Sequence, residues 1–567
     1  MARTFPNKYA ADCTECGQRV QVGEGLTQAN PGSGPKWLTA HKVCPSNAPE
    51  AQVQPVSTQS KFAPTAEQLE AIKIFATHDD LVLQAGAGAG KTSTLKLLAN
   101  HALANGRRGQ YLAYNAKIVK DVRQDMPGNV ACNTMHSIAF AALGHQFANR
   151  LPSKMVRQPA HEVAAILGIK SLSIPGFGKQ EGRTLAAGWL ASKALGMVDQ
   201  FCHTPAQEIT VKHLAYIDGI DEVNEETGKA GTVNNRRVAE YLLPFARKAW
   251  ADMIDPNGRL RVTHDTYLKL WSLSSPVIDV DFILLDEAQD ADPVQEAIVK
   301  FNRDRGVQVV CVGDEQQVLY EWRGAVNAMA DFEAMGAKVA FLSQSFRFGD
   351  AIAEQANGLL GRLDARLRVK GFGPVASQVG PVAEPDAILC RSNAGAVRSL
   401  IGQIQAGRRV HLVGGTAEIV SFCKAALRLQ GGQTTQHAEL AMFSSWEEVV
   451  RYVEEEEQGA DLKLNVKLIE QFGAEAIIEA LDSNANEAAT LAADWDGVVI
   501  STAHKSKGLQ WGAVAIADDF KAPKQGDLSP AELRLAYVAV TRAKRELDLT
   551  NVPHFTLGWT PGEGDEF

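Results

Sequence analysis

Apolar residues along this chain gather into short runs, each closed by a polar or glycine-rich break and followed by a helical period. The first run is Leu81, Val82 and Leu83, ahead of a helical pattern carried by Leu95, Leu97, Leu98 and Ala99. FILL (282–285) and VQVVCVG (307–313) follow, then AILC (387–390), VHLVGG (410–415), GVVIST (497–502) and AVAIA (513–517). Runs of this length bounded by turn residues predict buried strands, and their alternation with helices predicts an α/β protein.

The pattern predicts two α/β lobes without an internal sequence repeat. The first covers 62–345 and is interrupted by a largely helical stretch at about 145–265. The second covers 346–555 and carries a short, polar helical insertion at about 436–490. Residues 1–45 form a separate segment, 556–567 a tail. SNAPEAQVQPVSTQSK (46–61) reads as a linker, being rich in Pro, Gln and Ser with no periodicity.

Composition narrows the class. A chain of 567 residues is too long for one core. At 45% hydrophobic and 22% charged it is neither disordered nor fibrous. No apolar run approaches the ~18 residues of a membrane span. The start, MARTFPNKYA, has no apolar core of a secretory leader. These features predict a cytoplasmic protein, nucleoid-associated or in the host cytoplasm if viral. The net charge of −9 does not exclude nucleic acid, because binding depends on a local groove and not on the average over all faces.

The chemistry begins at QAGAGAGKTS (84–93), between the first strand and its helix. Gly86, Gly88 and Gly90 let backbone N–H groups turn toward an anion, and the helix start behind them adds positive dipole. Lys91 can reach β/γ-phosphates and Thr92 can ligate Mg²⁺. Ala85 stands where the general phosphate-loop pattern has its first glycine. LLDEAQD (284–290) ends a buried strand in acids: Asp286 suits Mg²⁺ and Glu287 suits a general base for water. Such acids can also be plain helix caps; with the phosphate loop in the same chain, catalysis is the reading adopted.

LLDEAQD, VGDEQQVLYEWRGA (312–325), QSFRF (344–348), TAHKSKGLQW (502–511) and YVAVTRAKREL (537–547), in this order, resemble the motifs of the UvrD/Rep family of superfamily 1 DNA helicases. The resemblance covers about residues 62–550, and alanine at position 85 agrees with it. LSQSFRFG and VHLVGG read most like the F-box DNA helicase branch, although no F-box is seen. The resemblance implies two RecA-like lobes clamping Mg·ATP. Residues 85–93 (Ala85, Gly86, Ala87, Gly88, Ala89, Gly90, Lys91, Thr92, Ser93) would cradle the nucleotide. Gln68 would read adenine, although Thr65-Ala66-Glu67-Gln68 is also a capping box. Phe346 would stack on the base, Gln317 would sense the γ-phosphate, and Arg347 and Arg542 would reach it from the second lobe. Gln510 replaces a glutamate that usually contacts the ribose, and Ser93 replaces an arginine often found beside the base.

For single-stranded DNA the resemblance implies contacts from Tyr114 and Asn115 in YLAYNAK, Thr134 and His136 in NTMHS, Trp322 and Arg323 in YEWRGA, and His504 and Lys505. Trp322 would be a stacking platform, which tolerates any base, as a motor requires. The implied activity is ATP-dependent 3′-to-5′ movement on single-stranded or tailed duplex DNA, in repair, recombination or replication. The alternatives are a translocase that strips proteins with little unwinding, and a non-motor adaptor switched by ATP. Both a base and two arginines argue against the adaptor.

Independently of that resemblance, Cys13-x2-Cys16 and His41-x2-Cys44 predict a structural Zn²⁺ site of zinc-finger type, since so short a segment needs a staple. Its task would be docking to DNA or to a protein partner. The remaining cysteines, Cys132, Cys202, Cys311, Cys390 and Cys423, sit mostly in apolar runs and read as small core residues.

Overall fold

The computed structural model describes residues 5–6, 11–13, 19–20, 25–29, 37–41, 63–113, 115–151, 158–176, 182–217, 220–221, 231–318, 327–435, 437, 439–440, 443–455, 460–482, 490, 495–523 and 526–559. They form two compact units, Met1–Thr65 and Ala66–Phe567.

The N-terminal unit is built of short strands. Gly25–Ala29 pairs antiparallel with Trp37–His41 and with Phe5–Pro6, and Ala11–Asp12 pairs with Arg19–Val20. Cys13 is buried. Cys16 and Cys44 lie outside the described residues, and of His41 only the strand backbone is described. No group of three or more His, Cys, Asp or Glu among the described residues is arranged to hold a metal ion. The described residues therefore do not support the zinc-finger expectation.

In the large unit the first six strands are β1 (Leu81–Ala85), β2 (Gly109–Leu112), β3 (Val130–Asn133), β4 (Phe282–Asp286), β5 (Gln308–Gly313) and β6 (Lys338–Leu342). They make one parallel sheet, ordered β6-β1-β5-β4-β2-β3. Side chains alternate between its faces, and both faces are covered. Leu81, Leu83, Phe282, Leu284, Val310 and Val312 pack with helices α1 (Ala66–Ala76) and α2 (Lys91–Ala104). Val82, Ile283, Leu285, Val309 and Cys311 face the opposite core. That core includes α4 (Met135–Ala142), which follows α3 (Ala116–Arg123). Two-sided burial explains why these strands read as unbroken apolar runs.

Between β3 and β4 the chain is mainly helical, with α5 (Ala160–Leu167), α6 (Ala187–Cys202), α7 (Val233–Ile254) and α8 (His264–Leu273). Leu190, Ala194, Met197, Phe201, Val238 and Leu242 give it a core of its own. After β4, helix α9 (Pro293–Arg303) precedes β5 and helix α10 (Ala328–Ala334) precedes β6.

The second parallel sheet contains β7 (Gln378–Val379), β8 (Ala387–Cys390), β9 (Val410–Leu412), β10 (Val498–Thr502), β11 (Trp511–Ile516) and β12 (Ala543–Asp548). Its order is β7-β12-β11-β8-β10-β9. α11 (Asp350–Arg362) and α17 (Pro530–Val540) cover one face. α12 (Asn393–Gln405) and α13 (Ala417–Gln430) cover the other, joined by α14 (Trp446–Glu455), α15 (Ala460–Phe472) and α16 (Ala474–Asp482). The chain passes from the first sheet to the second along residues 343–349, beside the phosphate-type loop. Gly86 N donates to Leu342 O, Phe346 N to Gly88 O, and Ser345 Oγ to Ala87 O.

The described cysteines are buried. Among the described residues no helix is long and apolar enough to cross a membrane.

Candidate active site

Residues 86–90 connect β1 to the start of α2. Gly88 has φ 74°, in the left-handed region where a side chain is strained. Gly86 is fixed by space: an added Cβ would stand 2.4 Å from Val369 Cγ1. The loop ends at the N-terminus of a 14-residue helix, whose orphan N–H groups and dipole favour an anion.

Lys91 and Thr92 open that helix. Lys91 Nζ is 2.7 Å from Glu287 Oε1, with both side chains mostly covered. Burial works against the lysine's charge, but Glu287, Asp286 and Asp314 outweigh it and raise its pKa. Burial likewise opposes charge on Glu287, yet Lys91, Lys507 and Gln289 hold its carboxyl down at about 2. Asp286 goes the other way, raised first by burial and then by the charge of Glu287. The two neighbouring acids are thus driven apart, one firmly ionised, the other easier to protonate. Glu287 itself has φ 52°, an uncommon backbone for a residue with a side chain.

Several partners hold this constellation. Tyr111, buried in β2, donates to Asp286 Oδ2 at 2.7 Å. Gln289 Nε2 donates to Glu287 Oε2 at 2.6 Å, and its Oε1 accepts from Asp314 N at 3.2 Å. Asp314 Oδ2 accepts from Gln317 Nε2 at 2.8 Å and from the hydroxyl of Tyr537 at 3.0 Å. That hydroxyl accepts in turn from Ala87 N at 3.2 Å. Tyr537 lies on α17, so one phenol joins the loop, an acid of the first sheet and a helix of the second.

Three cations enter from the second sheet or the crossing. Arg542, fully buried, places Nη2 3.2 Å from Gln317 Oε1. Its pKa is lowered by burial and then by Arg347. Arg347 donates through Nη1 to Thr541 O at 2.8 Å, while its Nε is buried with no hydrogen-bond partner. Lys507 Nζ pairs with Asp290 and donates to Gln317 O at 2.6 Å.

At the base end, an added Cβ on Gly90 would meet Phe346 at 3.3 Å and Gln68 Nε2 at 3.6 Å, so those two side chains converge on the loop. Gln68 Nε2 donates to Thr94 Oγ1 at 3.1 Å. Phe346 packs edge-on against Phe372, with centroids 5.4 Å apart. Ser93 and Gln510 are both exposed, Gln510 directly after Leu509, whose carbonyl accepts from Arg542.

The candidate DNA residues are less concentrated. Tyr114, Trp322 and Arg323 lie outside the described residues. Asn115 caps α3, accepting from Ile118 N at 2.9 Å, and Thr134 caps α4 in a reciprocal pair with Ser137. His136 Nε2 lies 2.9 Å from Asp265 Oδ1. His504 is partly buried, and Lys505 Nζ donates to Asn393 Oδ1 at 3.1 Å.

Sequence reasoning missed Tyr111, Gln289, Asp314, Lys507 and Tyr537. Each of the five sits inside one of the sequence motifs, and a polar side chain within a motif was the signal available.

Two family models match this chain, an AAA domain over residues 68–323 and a UvrD-like helicase C-terminal domain over 497–550. The first spans the loop, Glu287 and Gln317; the second spans Lys507 and Arg542. F-box DNA helicase protein 1 of Schizosaccharomyces pombe is 28% identical over 509 residues, 83% of this chain and 55% of that protein. F-box DNA helicase 1 of Gallus gallus is 27% identical over 503 residues, 82% and 46% respectively. ATP-dependent DNA helicase PcrA of Leuconostoc citreum is 22% identical over 329 residues, 54% and 40%. The chain thus spans about half the length of the curated relatives it matches. It carries an AAA domain and a UvrD-like helicase C-terminal domain, and is similar over most of its length to F-box DNA helicases and over about half of it to PcrA.

Proposed function

We propose that the chain is an ATP-driven motor on DNA, a helicase or translocase that moves 3′-to-5′ along single-stranded DNA and opens the duplex ahead of it. The observation that supports this most is the meeting, around one phosphate-type loop, of groups from both sheets. Lys91, Glu287 and Gln317 come from the first, Arg542 and Lys507 from the second, and Arg347 from the crossing.

Lys91 would hold the β/γ-phosphates and Glu287 would orient the attacking water. Arg347 and Arg542 would stabilise the charge that develops on the transferring phosphoryl group. Arg347 Nε, buried and unpartnered, is a donor that a phosphate oxygen would satisfy. Thr92 and Asp286 would hold Mg²⁺, which supplies charge neutralisation at the phosphate oxygens. The fit is good, because each Asp286 oxygen takes one donor, Tyr111 Oη or Glu287 N, and keeps acceptor capacity. Mg²⁺ beside phosphates needs only one or two carboxylates. Gln68 and Phe346 would receive the adenine, and Gln510 the ribose. Closure on ATP and loosening after hydrolysis would turn phosphate chemistry into lobe movement.

The track for single-stranded DNA would run past Tyr114, Asn115, Thr134, His136, Trp322, Arg323, His504 and Lys505. A second reading, a translocase that clears proteins from DNA with little unwinding, is favoured by the small second insertion, three short helices between Trp446 and Asp482. For the N-terminal segment, Cys13, Cys16, His41 and Cys44 are the proposed zinc ligands, and metal analysis of the purified chain tests them.

The deciding experiment measures ATP turnover with and without single-stranded DNA, then strand displacement from duplexes tailed at 3′ or 5′. DNA-stimulated turnover with displacement from 3′ tails is expected. Displacement only from 5′ tails overturns the polarity, stimulated turnover without displacement selects the translocase, and absent or DNA-independent turnover overturns the motor.

A further inference from the structure

A cavity of about 590 Å³ opens beside Thr134 and His136, walled by Phe140, His264 and Tyr267. Its volume lies within the ~300–1,000 Å³ of small-ligand sites. The rings of His136, Phe140 and His264 stand edge-on to Tyr267, with centroids 6.3, 5.7 and 5.6 Å away. An aromatic, partly polar recess of this kind suits an unstacked nucleobase.

One wall of this cavity is continued inward by an alternating row of imidazoles and carboxylates. His136 Nε2 is 2.9 Å from Asp265 Oδ1. Asp265 Oδ2 is 4.0 Å from His203 Nε2. His203 Nδ1 is 2.5 Å from Asp292 Oδ2. Asp292 caps α9 through Val294 N, at 2.8 Å, and lies two residues beyond Asp290, the partner of Lys507. The four residues come from four places: α4, α8, the end of α6 and the start of α9. The row therefore runs from the cavity to the loop that carries Asp286 and Glu287. It consists of two tight pairs that meet at one looser joint, Asp265–His203.

Neighbouring groups anchor the His203 side of that joint. Lys269, buried on α8, donates to Thr204 O and Ala206 O at 2.6 Å each, directly after His203. The His203 imidazole is held charged, its pKa pushed up to about 9 by the hydrogen bond to Asp292 against the cost of burial, with Asp265 and Asp199 adding to it. A charged pair this well formed is more than the cap of a helix requires, since Asp292 Oδ1 alone makes the cap.

We infer that His136–Asp265–His203–Asp292 is a positioning relay through which single-stranded DNA in the Phe140/Tyr267 cavity sets the catalytic loop 286–292. The inference rests on the motor reading and adds to it the route by which DNA stimulates hydrolysis. Neither Asp265 nor His203 touches the nucleotide site, so each is a positioning residue. DNA that draws His136 toward itself shifts Asp265 at the loose joint, and His203 transmits the change to Asp292.

The test uses the full chain with His203→Gln and with Asp265→Asn, measuring ATP turnover with and without a single-stranded oligodeoxynucleotide. In each variant the DNA-independent rate and the ATP KM are expected to stay as in the parent. The DNA-stimulated kcat is expected to fall by about tenfold, a usual size for coupling between sites. The double variant is expected to lose no more than either single one, as members of one unit do. Full stimulation in a folded variant overturns the relay. A parallel fall of both rates with a lower melting temperature also overturns it, by making the row a structural brace. If one variant fails to fold, the other carries the test. Failure of the motor reading is separate, because the parent chain itself would then show no stimulation.

Discussion

Lys91 Nζ lies 2.7 Å from Glu287 Oε1, so the cation proposed for the phosphates and the base proposed for water begin as each other's partner. A phosphate that attracts Lys91 would release Glu287 from its strongest hold, and the base would become available only when its substrate is in place. Replacing Lys91 by Ala is therefore expected to abolish turnover, measured as phosphate release in the presence of DNA. Turnover at the parent rate would remove Lys91 from the machinery.

Glu287→Gln keeps the shape and removes the proposed base. Nucleotide binding, followed with a fluorescent analogue, is expected to persist, while turnover falls by about 10²–10⁴, the usual contribution of general base catalysis. Unchanged turnover would mean that another group activates water.

Arg542 would act across the cleft, and its contact with Gln317 Oε1 at 3.2 Å is available only when the sheets are apposed. Arg542→Lys retains the charge but not the planar fork. DNA-stimulated kcat is expected to fall by roughly 10³–10⁵, as for other arginines that stabilise phosphoryl transfer. A change confined to ATP KM would recast Arg542 as a binding group.

The Tyr537 hydroxyl lies between Ala87 N and Asp314 Oδ2, in a fully buried place. Tyr537→Phe leaves both partners one contact short, a loss of about 1–3 kcal/mol. The expected readout is a lower urea midpoint in the absence of nucleotide. An unchanged midpoint would show that the lobes do not depend on this bridge.

His203 gives stability a pH dependence. Its ordinary pKa of 6.5 is pushed up to about 9 in the folded chain by the hydrogen bond to Asp292, opposed by burial and aided by Asp265 and Asp199. A group that binds its proton more tightly when folded stabilises fully below the unfolded value, and that stabilisation is lost as pH rises through about 9. Urea midpoints taken from pH 6 to pH 10 should fall across this window, and His203→Gln should flatten that part of the curve. An identical curve in the variant would refute the assignment.

The strands were legible because parallel strands buried on both faces cannot hide their apolar character. Leu81–Leu83, FILL and VQVVCVG all lie where the runs predicted strands. The phosphate-type loop was legible because turn geometry demands glycine at Gly88 and Gly90. Tyr111 and Tyr537 were not, since an aromatic ring at a strand or helix position reads as core until its hydroxyl is seen to meet Asp286 or Asp314. His203, in FCHTP, has no local pattern at all; its partners are 62 and 89 residues away and only folding brings them together. The expected zinc ligands pointed the other way, a persuasive spacing to which the described residues add only one buried cysteine.

Residues 343–349 leave the first sheet beside the loop 84–93 and lean on it through Ser345 and Phe346. The fulcrum of any relative rotation of the two sheets is therefore next to that loop. Displacements there are short, and they grow with distance from that point. Such a lever exchanges force for travel: on the proposed motor reading, a small change at the terminal phosphate would become a longer stroke along a strand, and a load on that strand would be felt, reduced in distance and raised in force, at the loop.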